Sequence, residues 1–136
     1  MDNVNCSIII NRNKNHILFC KRSKDPYLGL YNFVGGKIEE GEGSLAAAYR
    51  ELEEETGITG EAVTLVPFMD YYWHLQKIHM EVYVGVLNRE VTLREELHPL
   101  SWLDLEQNFF DMSQFAGEGN IGHMIEILKQ TEYLNR

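Results

Sequence analysis

The sequence is compatible with an α/β domain, and three observations bear on it. Residues 6–10, 17–21, 62–73, 78–87 and 100–103 are β-rich and are set apart by polar or glycine-bearing connections. Two stretches, one running from Ser44 to Gly57 and one over residues 121–128, carry helical periodicity instead. A chain of 136 residues is large enough for one proper core without disulfide or structural-metal support. No repeats, low-complexity tracts or linkers interrupt it, so residues 1–136 are expected to form a single domain.

The first two strands are joined by the polar turn 11–15 and read as a hairpin. A loop over residues 23–32, with Pro26 and Gly29, leads into Gly35 and Gly36, where glycine permits a tight turn and close approach of main chain to a ligand. Ser44 is the expected N-cap of the following helix. Leu45, Ala48 and Leu52 recur at i, i+3 and i+7 as its inward stripe, Tyr49 widens that stripe, and Thr56-Gly57 is the stop signal. Residues 62–73 and 78–87 suggest a second hairpin, with His79, Glu81 and Tyr83 on one face of its second strand and Met80, Val82 and Val84 on the other. Residues 100–103 form a short last strand. The closing helix turns Ile121, Met124, Ile125 and Leu128 inward.

Charge and cysteine usage narrow the function. Twelve basic and 21 acidic residues leave a net charge of −9, which argues against wrapping a nucleic-acid polymer, because that demands clustered Lys and Arg. A small anionic nucleotide remains compatible, met by metal ions and by local cations such as Lys21, Arg22 and Lys37. Cys6 and Cys20 lie in separate apolar strands without metal or redox spacing and read as buried thiols of a reducing compartment. The apolar runs are too short for a signal peptide or a membrane span, so a cytoplasmic protein is expected, monomeric or homodimeric, with no membrane partner.

The chemistry concentrates between Gly36 and Ile58. Glu51, Glu54 and Glu55 stand at i, i+3 and i+4, so their carboxylates converge on one helix face while Glu53 points elsewhere. Two such charges about 5 Å apart repel by roughly 3 kcal/mol at an effective dielectric of 20. They also sit in the last turn, where the helix macrodipole disfavours anions by ~0.3–1 kcal/mol each. Helix stability does not explain the cluster. A hard cation does, and Mg²⁺ or Mn²⁺ suits it because the segment offers oxygen ligands and neither His nor Cys. A backbone carbonyl of the glycine turn, that of Gly35, is the candidate to complete the shell. The competing reading of a glutamate run is a solvated face, and of Arg50 a surface ion pair worth ~0–1 kcal/mol.

Gly36, Glu42, Arg50, Glu51, Leu52, Glu54, Glu55, Gly57 and Ile58 together fill every fixed position of a pattern, and residues 36–58 resemble a complete Nudix box. The resemblance implies a Nudix-type α/β/α sandwich with a mixed β-sheet and metal-dependent hydrolysis of a nucleoside diphosphate linked to another group. It implies that Arg50 holds the catalytic carboxylates by hydrogen bonds. Glu54 and Glu55 are then the leading metal ligands, Glu51 a ligand or the general base, and Glu96, in an acidic loop ahead of His98 and Pro99, the alternative base.

Beyond the box, the chain resembles the MutT-like triphosphatases that clear oxidised purine nucleotides. Tyr31-Asn32 resembles an aromatic–asparagine pair whose amide reads a purine edge; alternatively Asn32 only satisfies turn backbone. Asn120, near Phe109 and Phe110 at the start of the last helix, is a second candidate reader, or simply an N-cap over a core Phe pair. The reaction implied is cleavage of a nucleoside triphosphate such as 8-oxo-dGTP to the monophosphate and pyrophosphate. Alternatives are hydrolysis of ADP-ribose or a dinucleoside polyphosphate, and a nucleotide-sensing or partner-binding module without turnover. Trp73 stands where ADP-ribose hydrolases carry a proline.

Overall fold

The computed structural model describes residues 1–134. In chain order they form β1 (Asp2–Ile10), β2 (His16–Lys21), β3 (Tyr31–Asn32), β4 (Val34–Lys37), α1 (Ser44–Thr56), β5 (Val66–Trp73), β6 (Ile78–Val86), β7 (Leu100–Asp104) and α2 (Asn120–Leu128).

Strand β1 is the spine of a mixed sheet, because its run of β-branched residues suits a position buried on both faces. One edge pairs in parallel with β6, from Asp2↔Ile78 to Ile10↔Val86, and β5 closes that side as an antiparallel neighbour of β6. The other edge is divided. The ladder joins β1 to β2 at Ile10↔Ile17, next to their turn, where Asn11 Oδ1 accepts from the backbone of Asn15 and His16. Farther along, residues 31–37 occupy the gap between the two strands: β3 pairs with β2 at Cys20↔Asn32, and β4 pairs with β1 from Val4↔Lys37 to Ser7↔Val34. Strand β7 lies on the far edge of β2.

Period-two alternation distributes the core over both sheet faces. Ile8, Ile10, Ile17 and Phe19 pack with Ile121, Met124, Ile125 and Leu128 of α2, whereas Ile9, Leu18 and Cys20 pack with Ala48 and Leu52 of α1. The protein is an α/β/α sandwich. On the α2 side Phe19 stacks on Phe33 and Phe109 at centroid distances of 5.2 and 5.8 Å and meets Phe115 edge-on. Each such pair contributes about 0.5–1.5 kcal/mol beyond simple burial.

Several local expectations change. The N-cap of α1 is Gly43 in extended conformation, and Ser44, already helical, donates its hydroxyl to Glu81 Oε2 at 3.2 Å. Leu45 is 45% exposed; the inward face is Ala47, Ala48 and Leu52. Strand β5 begins at Val66 rather than at residue 62, and β1 reaches back to Asp2. Gly35 and Gly36 lie inside β4, not in a turn. The helix stop is as expected: Gly57 adopts φ 80°, and its N–H donates to Glu53 O. The alternation of β6 and the inward face of α2 also match expectation, and both cysteines are buried free thiols pushed up to about 12 chiefly by that burial.

Candidate functional site

The site begins where α1 crosses the glycine pair of β4. Gly36 has no side chain because the Glu51 carboxylate fills that space: a Cβ added there would collide with it. A Cβ on Gly35 would strike the backbone of Asn5 and Cys6 in the neighbouring strand. The two glycines are thus required by close approach rather than by unusual dihedrals.

Arg50 organises the acidic face. Its Nε and Nη2 donate to the two oxygens of Glu42 at 2.5 and 2.8 Å, and Nη2 also donates to Lys37 O at 3.1 Å. Nη1 donates to Glu51 Oε1 at 2.9 Å and to Glu54 Oε2 at 3.1 Å. The planar, permanently charged fork is suited to such multiple carboxylate contacts. Hydrogen bonds from Arg50 hold Glu42 down at about 2, while the Arg50 guanidinium is itself driven further up by Glu42 and Glu51. Glu51 moves upward because burial outweighs the hold of Arg50.

Glu55 is different. It is 7% exposed, and its Oε2 has no hydrogen-bond partner. Burial first, and the neighbouring Glu51 charge second, raise it to about 7, against the weaker opposing pull of the Gly35 backbone amide and Arg22. An unpaired carboxylate oxygen out of water is costly.

Glu55 lines a cleft of about 460 Å³. Gly35, Gly36, Arg22, Lys37, Asn32 and Asn120 border the same cleft, so most of the substrate candidates do converge. Arg22 also donates through Nε to Pro26 O at 2.6 Å, and His98, held down by burial and by Arg22 and Lys24, stands at the same cationic end. Lys37 keeps only a long, exposed pairing with Asp2. Asn32 Oδ1 accepts from Phe33 N–H at 2.9 Å, so its acceptor serves local backbone. Asn120 is the first residue of α2 with Gly119 as the N-cap, and it lies beside the Tyr71 hydroxyl. Phe109 is core, but Phe110 is half exposed and covers Gly122.

Arg50, Glu51 and Glu54 are not part of the cleft lining, although the Glu51 carboxylate lies against Gly36, which is; two further candidates stand apart from both groups. The Lys21 ammonium sits over the Tyr31 ring, 5.5 Å from its centroid, and does not border the cleft. Glu96 pairs with Arg94 at 2.9 Å, and Arg94 packs on Gly57 beyond the end of α1; Glu96 is likewise outside the cleft lining.

Asn5, Tyr27, Tyr71 and Trp73 border the cleft and were not singled out from sequence as ligand contacts. None of the four carried a sequence signal, since Asn5 lies just before the strand expected at residues 6–10 and beside other polar residues, Asp2, Asn3 and Ser7.

Among the described residues, no three His, Cys, Asp or Glu side chains close around a common point. The reason is visible in Arg50, which bridges Glu51 and Glu54 as a cation would. The donor set still fits a hard divalent ion: it consists of oxygens alone, and Glu55 Oε2 is buried and unclaimed.

Residues 1–121 match the family model for the NUDIX domain. The chain is 39% identical over 64 residues to the 8-oxo-dGTP diphosphatase of Escherichia coli (strain K12), a stretch covering 46% of this chain and 50% of that protein. It is 40% identical over 70 residues to the ADP-sugar pyrophosphatase of Mus musculus, covering 48% of this chain and 32% of that one. The chain therefore matches half or less of these curated relatives' length. The crystal structure of a MutT NUDIX hydrolase from Burkholderia pseudomallei superposes with a TM-score of 0.66 at 25% identity, covering 92% of this chain and 95% of that one.

Proposed function

The chain belongs to the NUDIX domain family, and from that membership and the state of Glu55 we propose that it is a divalent-metal-dependent hydrolase of phosphoric anhydrides. Its substrate in this reading is a nucleoside triphosphate, cleaved to the monophosphate and pyrophosphate, with an oxidised purine nucleotide such as 8-oxo-dGTP as the preferred form. The observation that carries the reading is the buried, unpartnered Glu55 oxygen in a cleft that also presents Arg22 and His98.

Glu55 and Glu54 would hold Mg²⁺ or Mn²⁺, with Glu51 and the Gly35 carbonyl assisting. When bound, the ion neutralises charge developing on phosphate oxygens and lowers the pKa of an attacking water. Arg50 keeps Glu51 and Glu54 in register with Glu42 behind them, and the two carboxylates would have to turn from Arg50 toward the ion to hold it. Glu51, raised by burial and lodged against the cleft-lining Gly36, is the better-placed base although it too accepts from Arg50; Glu96 pairs with Arg94 away from the cleft. Arg22, Lys37 and His98 meet the phosphates, while Tyr71, Trp73 and Asn120 enclose the base.

The similarity to an ADP-sugar pyrophosphatase supports a second reading, in which the same chemistry acts on a nucleoside diphosphate sugar. No helix among the described residues is long and apolar enough to cross a membrane; separately, we propose a cytoplasmic enzyme, monomeric or dimeric. The deciding experiment compares Mg²⁺-dependent kcat/KM on 8-oxo-dGTP, ordinary dNTPs, ADP-ribose, an ADP-sugar and diadenosine polyphosphates, with Glu54→Gln as control. Preference for the oxidised triphosphate supports the first reading. Cleavage confined to the diphosphate derivatives replaces it, and absence of turnover on all of them leaves a binding module.

A further inference from the structure

Three buried side-chain polar atoms among the described residues have no hydrogen-bond partner: Asn5 Nδ2, Glu55 Oε2 and Trp73 Nε1. All three residues border the one cleft. Trp73 has a neighbouring acceptor, since it stands beside the Tyr27 hydroxyl, which itself donates to Glu118 at 2.6 Å. Asn5 has no comparable relief.

Asn5 is 3% exposed in the middle of β1, in register with Gly36 on one side and Glu81 on the other. Its amide orientation is dictated by chemistry. The Gly36 N–H donates to Oδ1 at 3.3 Å, and a backbone N–H can only donate, so the oxygen must face Gly36 and the NH₂ group must face away. A buried NH₂ without an acceptor is a penalty that packing alone would remove by placing an aliphatic residue there.

The glycine pair of β4 connects this donor to Glu55: the Gly36 amide is engaged by Asn5, and the Gly35 amide acts on the Glu55 carboxylate. A donor and a carboxylate thus flank two glycines, each short of one partner and not bonded to each other. A ligand that satisfies both must offer an anionic oxygen to the amide and a cation to the carboxylate. A phosphate oxygen bound to a divalent ion has both properties. A neutral amide grips it without competing for the carboxylates or repelling the ion, as a lysine in this place would.

We infer that Asn5 is a ligand-contacting residue of the site, donating from Nδ2 to an anhydride phosphate oxygen beside the cation held at Glu55. The inference rests on the metal site proposed above. It assigns Asn5 to the phosphate end of the ligand, so its loss weakens phosphate-bearing ligands and spares binding of the cation alone.

The test uses imidodiphosphate, a pyrophosphate analogue that resists hydrolysis, titrated calorimetrically into the full chain at saturating Mg²⁺. Variants are Asn5→Val, Asn5→Asp, which keeps the acceptor for Gly36 but removes the donor, and Glu55→Gln. Loss of one charge-assisted donor is expected to weaken imidodiphosphate by about 10- to 100-fold in both Asn5 variants. Mg²⁺ binding measured by itself should be undiminished, and the ligand-free melting temperature of Asn5→Val should be at or above that of the wild type. If both variants bind imidodiphosphate like the wild type while Glu55→Gln does not, Asn5 is a structural residue and the inference is overturned although the metal site stands. If Glu55→Gln also binds it normally, the metal site itself fails. Should Asn5→Val not fold, the Asn5→Asp titration decides in the same terms.

Discussion

Removing the Glu55 charge should stabilise the metal-free protein at neutral pH. Burial raises this carboxyl from its ordinary 4.5 to about 7, so the folded chain holds a proton that the unfolded chain has released. Below pH ~4.5 both states are protonated and nothing is lost. As pH rises toward 7 the unfolded state gives up its proton first, and stability falls; above the folded value the loss is complete. At ~1.36 kcal/mol per pH unit the full loss is about 3 kcal/mol. Glu55→Gln removes it, which for a chain of this size corresponds to a melting temperature higher by roughly 10 °C at pH 8. Mg²⁺ should offset the same penalty in the wild type alone, by about 2.7 kcal/mol at a hundredfold excess over its Kd. The assay is urea denaturation at pH 5, 6, 7 and 8, with EDTA or with Mg²⁺, for both proteins. Parallel pH profiles for wild type and variant in EDTA, or equal stabilisation of both by Mg²⁺, would refute the reasoning.

Other perturbations separate positioning from packing. Arg50→Lys keeps the charge but cannot reach Glu42, Glu51 and Glu54 together, so kcat should fall about 100-fold, with under about 1 kcal/mol lost from stability; a wild-type kcat in steady-state assays counts against the role given to Arg50. Gly36→Ala pushes on a side chain, the Glu51 carboxylate, whereas Gly35→Ala pushes on the backbone of Asn5 and Cys6. The first should fold and lose most of its activity, and the second should lose about 1–3 kcal/mol in denaturant titrations; equal stabilities for the two would contradict the packing described.

The box was legible in sequence because its geometry is local. A glutamate three or four residues from another shares its helix face whatever surrounds it, and a glycine after such a helix adopts the left-handed cap that Gly57 does. What sequence did not reveal depends on distant chain. Ser44 looks like an N-cap until Glu81, on another strand, draws its hydroxyl away. Leu45 fits the helical stripe, yet it is left exposed and Ala47 is buried with Ala48 and Leu52 instead. Gly35 and Gly36 suggest a turn, but their need is to let β1 and Glu51 come close. That Asn32 and Asn120 border one cleft, with the Asn32 acceptor still serving local backbone, depends on the whole fold, and Lys21 and Glu96 look equivalent to Arg22 and Glu51 until their neighbours are seen.

The wedge of residues 31–37 between β1 and β2 has a bearing on how the molecule is made. The cleft draws walls from Asn5 and Cys6, from Asn32 to Lys37, from Tyr71 to Met80 and from Ile121 and Met124, and the wedge is secured by Phe115 bridging to Tyr31. The parallel pairing of β1 with β6 joins segments more than seventy residues apart, a closure whose entropy must be met before it returns any contact. A chain emerging from the ribosome can therefore form its first hairpin and its acidic helix long before it has a cleft. Ligand has no complete cleft to grip until Ile121 and Met124 have joined its walls, so it acts on the assembled fold rather than as a template for it.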